Sequence, residues 1–454
     1  MKTLEQIAAE LQGYDPQALS CAGVGEFLSR LVEPVAQVEE VGIFDALARV
    51  LARDVISPVS VPPHDNSAMD GYAFDGAQLS ADAPLVLTVV GTALAGKAWQ
   101  GCVKAGECLK IMTGAILPGG LDTVVPQEFA QVEADRITIP PRLLKPGDNR
   151  RLKGEDLLQG QPALQKGELL APAALGLVAS LGIKTVPAYR RLRVAYFSTG
   201  DEILSLGEAP REGAVYDSNR YTVFGLLSRL GCEVIDLGVV RDDPALLEAA
   251  FTQAARQADA IITSGGVSVG EADYTRAMMK KLGDVAFWRI AMRPGRPMAV
   301  GRIPVTPSSG AGRFAAGPPQ GETAPPGGSE PREAGSVGAI LFGLPGNPVA
   351  VMVTFLAFVR PALLRMMGCT ADAPPLLKAR SAEAIRKKPG RSEYQRGIVS
   401  TAPDGSLQVR TTGNQGSGVL SSMVQANGLI VLHHAQGNVA AGDAVDVMMF
   451  DGAM

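Results

Sequence analysis

Histidine is scarce in this chain: His64, His433 and His434 are the only three in 454 residues. That scarcity argues against a histidine-based nucleophile triad and against a histidine metal cluster. The two adjacent histidines follow a strand-like run at 429–432 and fit a solvated strand end. Five cysteines (Cys21, Cys102, Cys108, Cys232, Cys369) are scattered without a CxxC pair, so neither a zinc site nor a disulfide framework is indicated. A net charge of −4 gives no support to broad nucleic-acid binding. The longest apolar run, 349–359, stops at Arg360 and is too short to span a bilayer, which predicts a buried helix and no membrane partner. Residues 1–14 carry Glu5 and Glu10 in a helical pattern and lack a signal peptide's apolar core, so a cytosolic protein is expected. Repeats of solenoid length are absent. What remains for chemistry is carboxylates, hydroxyls and cations.

At this length several domains are expected. The first 50 residues read as helices: Leu4, Ile7, Ala8 and Leu11 share one face, and 42–52 repeats the pattern after a break near Pro34. From Val55 to about Lys145 short β-type runs such as 85–90 and 136–139 alternate with Gly/Pro turns, predicting a small β domain inserted before helical character returns at 172–181. From Arg193 strands (193–197, 233–237, 260–263) alternate with helices (219–230, 244–258, 274–282), a βαβ series with a largely parallel sheet. A further strand, 339–342, precedes the apolar helix. Residues 304–336 are dense in Gly, Pro, Ser and Ala, and the composition predicts a disordered insertion. Past Pro374 the pattern alternates, with an Asp404-Gly405 hairpin signal between 398–401 and 407–411, predicting a small closing β-barrel. The expected division is 1–51 with 146–188, an inserted 52–145, an α/β domain at 189–375 and a barrel at 376–454.

Open parallel sheets bind ligands beyond the carboxyl ends of their strands. Four loops should therefore converge: Ser198-Thr199-Gly200-Asp201-Glu202, Val240-Arg241-Asp242-Asp243, the run from Thr263 through Ser264, Gly265, Gly266, Ser268 and Gly270 to Asp273, and Gly343-Leu344-Pro345-Gly346-Asn347-Pro348. In the third loop, glycines let backbone N–H groups approach a phosphate, and the following helix presents its positive end. Glu271 and Asp273 add carboxylates, which suits a hard cation such as Mg²⁺ bridging protein and phosphate; a bland tight turn fits the same glycines. Asp243 precedes Pro244 as a helix N-cap would, leaving Asp242 as the better ligand candidate. Asp201 and Glu202 fit a metal- or hydroxyl-binding role. Arg289, Arg293 and Arg296 surround Pro294-Gly295 and Pro297 and read as an oxyanion clamp, or equally as a solvated basic loop.

Taken together these blocks resemble the molybdenum insertase family (molybdopterin molybdenumtransferase), which includes the C-terminal enzyme domain of gephyrin. The marks are DNSAMDGYA at Asp65, IMTGA at Ile111, KGED at Lys153, STGDE at Ser198, VRDD at Val240, TSGGVSVGEADYT at Thr263, RPGRP at Arg293, GLPGNP at Gly343 and YQRG at Tyr394. The resemblance covers nearly the whole chain. It implies a multi-domain α/β protein whose central domain binds molybdopterin, working as a homodimer in which the β insertion of one subunit faces the other's crevice. Adenylylated molybdopterin and molybdate would yield molybdenum cofactor and AMP with Mg²⁺. By matching position, the implied functional residues are Asp65, Thr113, Asp156, Glu202, Asp242, Asp273, Arg289, Arg293, Arg396 and Ser417, with Glu202, Asp242 and Asp273 at the metal. Family members commonly carry lysine where this chain has its three arginines. Molybdopterin adenylyltransferase, itself an expected pathway partner, is a rival reading because it shares a similar α/β domain; a gephyrin-like scaffold is another. Regions before Arg190 and after Pro374 favour the insertase over the adenylyltransferase, and no obvious peptide-groove motif supports the scaffold.

Overall fold

A computed structural model describes residues 2–267, 274–305, 338–371 and 373–450 of the chain. At its centre lies a six-stranded sheet in the spatial order Glu233–Val240, Arg193–Thr199, Ala260–Ser264, Ala339–Leu344, Pro297–Ile303, Asp284–Arg289. The first four strands are parallel, Pro297–Ile303 runs antiparallel to them, and Asp284–Arg289 runs antiparallel to Pro297–Ile303. Alternate residues of Arg193–Thr199 go to opposite faces: Val194 and Tyr196 join the core under helix Pro348–Met366, while Ala195 and Phe197 join the core under helix Pro244–Gln257. Both faces are covered, which is why these strands read as unbroken apolar runs. From Arg193–Thr199 the chain moves to one side of the sheet and then returns to the other with Ala260–Ser264. That reversal opens a crevice at the carboxyl ends of these two strands.

The Asp243 cap matches the sequence reading, and a second acidic cap accompanies it. Asp243 Oδ1 accepts from the backbone of Ala245 (2.9 Å) and Leu246 (3.0 Å), and Asp217 caps Ser218–Arg229 by accepting from Arg220 N. The apolar helix is longer than its sequence run: 19 residues, long and apolar enough to cross a membrane, yet 72% buried against the protein's own cores. It changes to π geometry over Phe355–Val359.

At the N-terminus, Leu4–Ala9 and Cys21–Leu31 are helical, but the expected helix over 42–52 does not form. Instead Val38–Gly42 pairs with Thr185–Tyr189, a single 3-10 turn follows at Ile43–Asp45, and Val50 and Leu51 form β-bridges. Backbone N–H groups of Ala48, Leu51 and Ala52 donate to Leu170, Glu168 and Pro187, so long-range pairing displaces local helix preference. The inserted β region forms a second six-stranded sheet. In the C-terminal region Ser392–Thr401, Leu407–Thr411, Leu377–Ser381, Ala444–Met449 and Gly428–Leu432 close on themselves through a pairing of the first with the last. His433 ends a barrel strand, exposed, with Nε2 2.6 Å from Asp446. The proline- and glycine-rich stretch lies, beyond Val305 and before Gly338, outside the described residues.

Candidate functional site

Strand Ala260–Ser264 ends beside Arg193–Thr199 at the crevice. Gly265 has φ +92, and a Cβ there would meet the Thr199 carbonyl oxygen at 2.6 Å, so only glycine lets the two strand ends approach this closely. Gly200, φ +137, plays the same part for Glu202: a Cβ would lie 2.6 Å from the Glu202 carboxylate, which folds back over it. The Ser264 hydroxyl is buried, 2.7 Å from Tyr196 OH and 3.1 Å from Ser198 Oγ, where it braces adjacent strands. Ser268, Gly270 and Asp273 lie outside the described residues.

A cleft of about 420 Å³ opens above these strand ends. Glu202, Gly265 and Gly266 line one side; Arg293, Pro345, Gly346, Asn347 and Ser417 line the rest. A smaller cavity of about 280 Å³ adjoins it, sharing Arg293, Pro294 and Gln415 and bounded further by Arg396, Arg386 and Glu383. Arg293 thus stands where the two spaces meet. Its segment is tied to the barrel, because Met292–Arg293 pairs in parallel with Ser392 and Glu393, and its peptide bond to Pro294 is cis. Arg289 and Arg296 are exposed on the same turn system but line neither space.

Arg396 behaves differently from the other cations. Its residue is 0% exposed, and its guanidinium donates to Ser422 Oγ (2.9 Å) and to the carbonyls of Asn414 (3.1 Å), Gln415 (3.3 Å) and Gly416 (2.9 Å). Burial, with Arg293 adding repulsion, pushes its pKa down to about 10, still cationic at neutral pH. These bonds fix the loop that carries Gln415 and Ser417. Ser417 Oγ accepts from Asn347 Nδ2 (3.1 Å) and its carbonyl accepts from Val349 N (3.1 Å), joining barrel and α/β walls. Sequence reasoning missed Gln415, which lines both spaces; no motif marked it.

Carboxylate placement is mixed. Asp242 N donates to Asp201 Oδ1 at 3.3 Å, which brings the loops carrying Glu202 and Asp242 side by side. Among the described residues no three ligating side chains converge on one point. Asp65, Thr113 and Asp156, in the N-terminal region, line neither space. There Lys153 N donates to Asp65 Oδ1 (2.8 Å) and Arg150 lies 3.8 Å from Asp65. Asp70 accepts from both Thr113 N and Thr113 Oγ1 at 2.7 Å, and these bonds hold its carboxyl below the usual range.

Fold and site together define a multi-domain α/β protein with a polar cleft lined by residues of both the α/β domain and the C-terminal barrel. Comparison with known proteins narrows the class. Residues 20–182 match the MoeA N-terminal region (domain I and II), 195–365 match a probable molybdopterin binding domain, and 378–450 match the MoeA C-terminal region (domain IV). Molybdopterin molybdenumtransferase of Haemophilus influenzae is 40% identical over 91% of this chain and 94% of its own length. That of a Nostoc strain is 35% identical over 90% and 88%. A molybdopterin biosynthesis moeA protein structure from Pyrococcus horikoshii superposes with TM-score 0.68 at 28% identity, covering 96% of this chain and 99% of that one. A second, at 24% identity, shares the fold with TM-score 0.71. The chain belongs to the molybdopterin molybdenumtransferase family, transferases of molybdenum cofactor biosynthesis.

Proposed function

We propose that the chain transfers molybdenum from molybdate onto adenylylated molybdopterin with release of AMP. The observation that carries this reading is the single cleft in which a glycine-flanked strand end, a carboxylate and an arginine meet hydroxyl and amide donors from the barrel side. The Gly265–Gly266 turn suits phosphate oxygens. Arg293, Asn347 and Ser417 supply a cation and hydrogen-bonding groups for a tetrahedral oxyanion. Holding both substrates in one cleft converts a bimolecular encounter into a local one, and fixed charge around the reacting atoms does the rest.

Mg²⁺ fits the donor set. Glu202 and Asp242, on loops that lie side by side, would hold it, with Asp273 as a third candidate, because this cation is held by one or two carboxylates together with water and phosphate oxygens. Bound there, it would neutralise charge on the pyrophosphate group.

The working unit in this reading is a homodimer, with Asp65, Thr113 and Asp156 of one protomer completing the cleft of its partner. Support comes from exposed apolar side chains on the N-terminal region: Phe44 is fully exposed, and Ile56, Val59 and Leu158 are each more than 40% exposed on neighbouring segments. Phe44→Glu is expected to shift the protein to monomer in light scattering while preserving its helical signal. All five cysteines are free, which suits the reducing cytosol. An adenylyltransferase would supply the substrate. Match over the N-terminal and barrel regions favours this reading over the adenylyltransferase itself.

Incubation of purified protein with adenylylated molybdopterin, Mg²⁺ and either molybdate or tungstate tests the reading. Oxyanion-dependent AMP release is expected; AMP release indifferent to oxyanion, or none, would sink it.

A further inference from the structure

Asn219 lies at the second position of helix Ser218–Arg229, whose N-terminus is anchored behind the crevice by the Asp217 cap. It is 7% exposed. Its Nδ2 donates to the Gly346 carbonyl at 2.7 Å, a contact that joins residues 127 apart in sequence. Its Oδ1 is buried and has no partner among protein atoms. Turning the amide over would set Oδ1 against the Gly346 carbonyl, acceptor against acceptor, so the bond to Gly346 fixes the amide's orientation. An apolar residue would fill this place without burying an unpaired acceptor. What the amide adds is the tie to Gly346.

That tie matters because Gly346 leads directly into the donors of the cleft wall. A Cβ built on Gly346 would find nothing nearer than Gly265 Cα at 4.0 Å, and Gly265 N donates to the Leu344 carbonyl, so the 345–347 loop lies beside the glycine turn at the end of the neighbouring strand. The next residue, Asn347, donates to Ser417 Oγ, and Val349 N donates to the Ser417 carbonyl. Arg396 holds Gly416 from the other side. A continuous series of hydrogen bonds therefore runs from Asn219 through the 345–347 loop to Ser417, along the wall that carries the oxyanion-facing groups. Asn347 makes no capping bond to its own helix, which leaves its side chain for Ser417.

We propose that Asn219 is a positioning residue of the transfer reaction: by holding the Gly346 carbonyl it fixes Asn347 and Ser417, and so sets the affinity of the cleft for molybdate rather than for the pterin nucleotide. The proposal rests on the functional reading above.

Two variants test it. Asn219→Ala removes the tie; Asn219→Asp is isosteric, is favourable near a helix N-terminus, and replaces the donor with an acceptor. In both, the molybdate concentration giving half-maximal AMP release should rise about five- to tenfold, the worth of one hydrogen bond. Half-saturation by adenylylated molybdopterin should move less than twofold. Hydrogen exchange should accelerate at amides of 346–349 and stay unchanged in strand Ala260–Ser264. In a Ser417→Ala background the Asn219→Ala shift should vanish, because both act on one wall. Equal shifts for both substrates, unchanged exchange at 346–349, or additivity with Ser417→Ala would overturn it. Wild-type protein without molybdate-dependent AMP release would sink the functional reading instead, and the exchange measurement would still decide the tie.

Discussion

The two walls of the cleft are built by different means. On the α/β wall, Gly200, Glu202, Gly265 and Gly266 sit where parallel strands end, held by the sheet ladder and by glycines that permit close approach. On the barrel wall, Ser417 and Gln415 belong to a loop without regular structure, held by the side chain of the buried Arg396. Topology places the first wall; one guanidinium organises the second. The first should tolerate loss of any single side chain far better than the second.

The sharpest way to break this contrast is Arg396→Met. It fills a similar volume but leaves three loop carbonyls and the Ser422 hydroxyl without their donor, at an expected cost of about 2–4 kcal/mol in urea denaturation. A loss below about 1 kcal/mol would mean that the loop holds itself. Asp243→Ala should cost less, about 1 kcal/mol, since only a helix cap on the α/β side is removed. Turnover of that variant should match wild type, and a large drop in kcat would give Asp243 more than a capping role.

Smallest of the three is Asp217→Asn. Burial pushes the Asp217 carboxyl above its usual pKa, against the hydrogen bond from Arg220 N that favours the charged form. With the folded-state pKa raised, the contribution to stability is present below the unfolded-state pKa and lost as pH rises through the folded value. The wild type should therefore lose stability relative to Asp217→Asn between acid and neutral pH. Parallel melting temperatures across that window would show that Asp217 titrates normally.

Legibility in the sequence follows the same division. Strand ends, the glycine turn and the Asp243 cap could be read because each has a local signature of apolar run, glycine or cap residue. The barrel hairpin was legible from Asp404-Gly405, and strands Ser392–Thr401 and Leu407–Thr411 do pair across it. Residues 42–52 mislead because Ile43, Ala46, Leu47, Val50 and Leu51 repeat at helical spacing, while the partners that capture this segment, Leu170 and Thr185–Tyr189, lie more than 120 residues on. Arg396 was named through family resemblance, yet nothing local distinguishes a cation exposed to ligand from one enclosed by carbonyls. Gln415 and Asn219 carry no signature because their roles depend on partners distant in sequence, Arg396 for one and Gly346 for the other.

The junction of the two walls is Arg293, and comparing it with Arg289 is the most direct trial of a shared anion cleft. AMP release would be followed against molybdate concentration for Arg293→Gln and Arg289→Gln, after confirming that each retains wild-type thermal stability. Arg293→Gln should need roughly tenfold more molybdate, with Arg293→Lys recovering part of the loss, because charge is restored but the planar fork is not. Arg289→Gln, whose side chain lines neither space, should shift less than threefold. An unchanged molybdate dependence in Arg293→Gln would contradict the shared cleft and place oxyanion binding elsewhere on the protein.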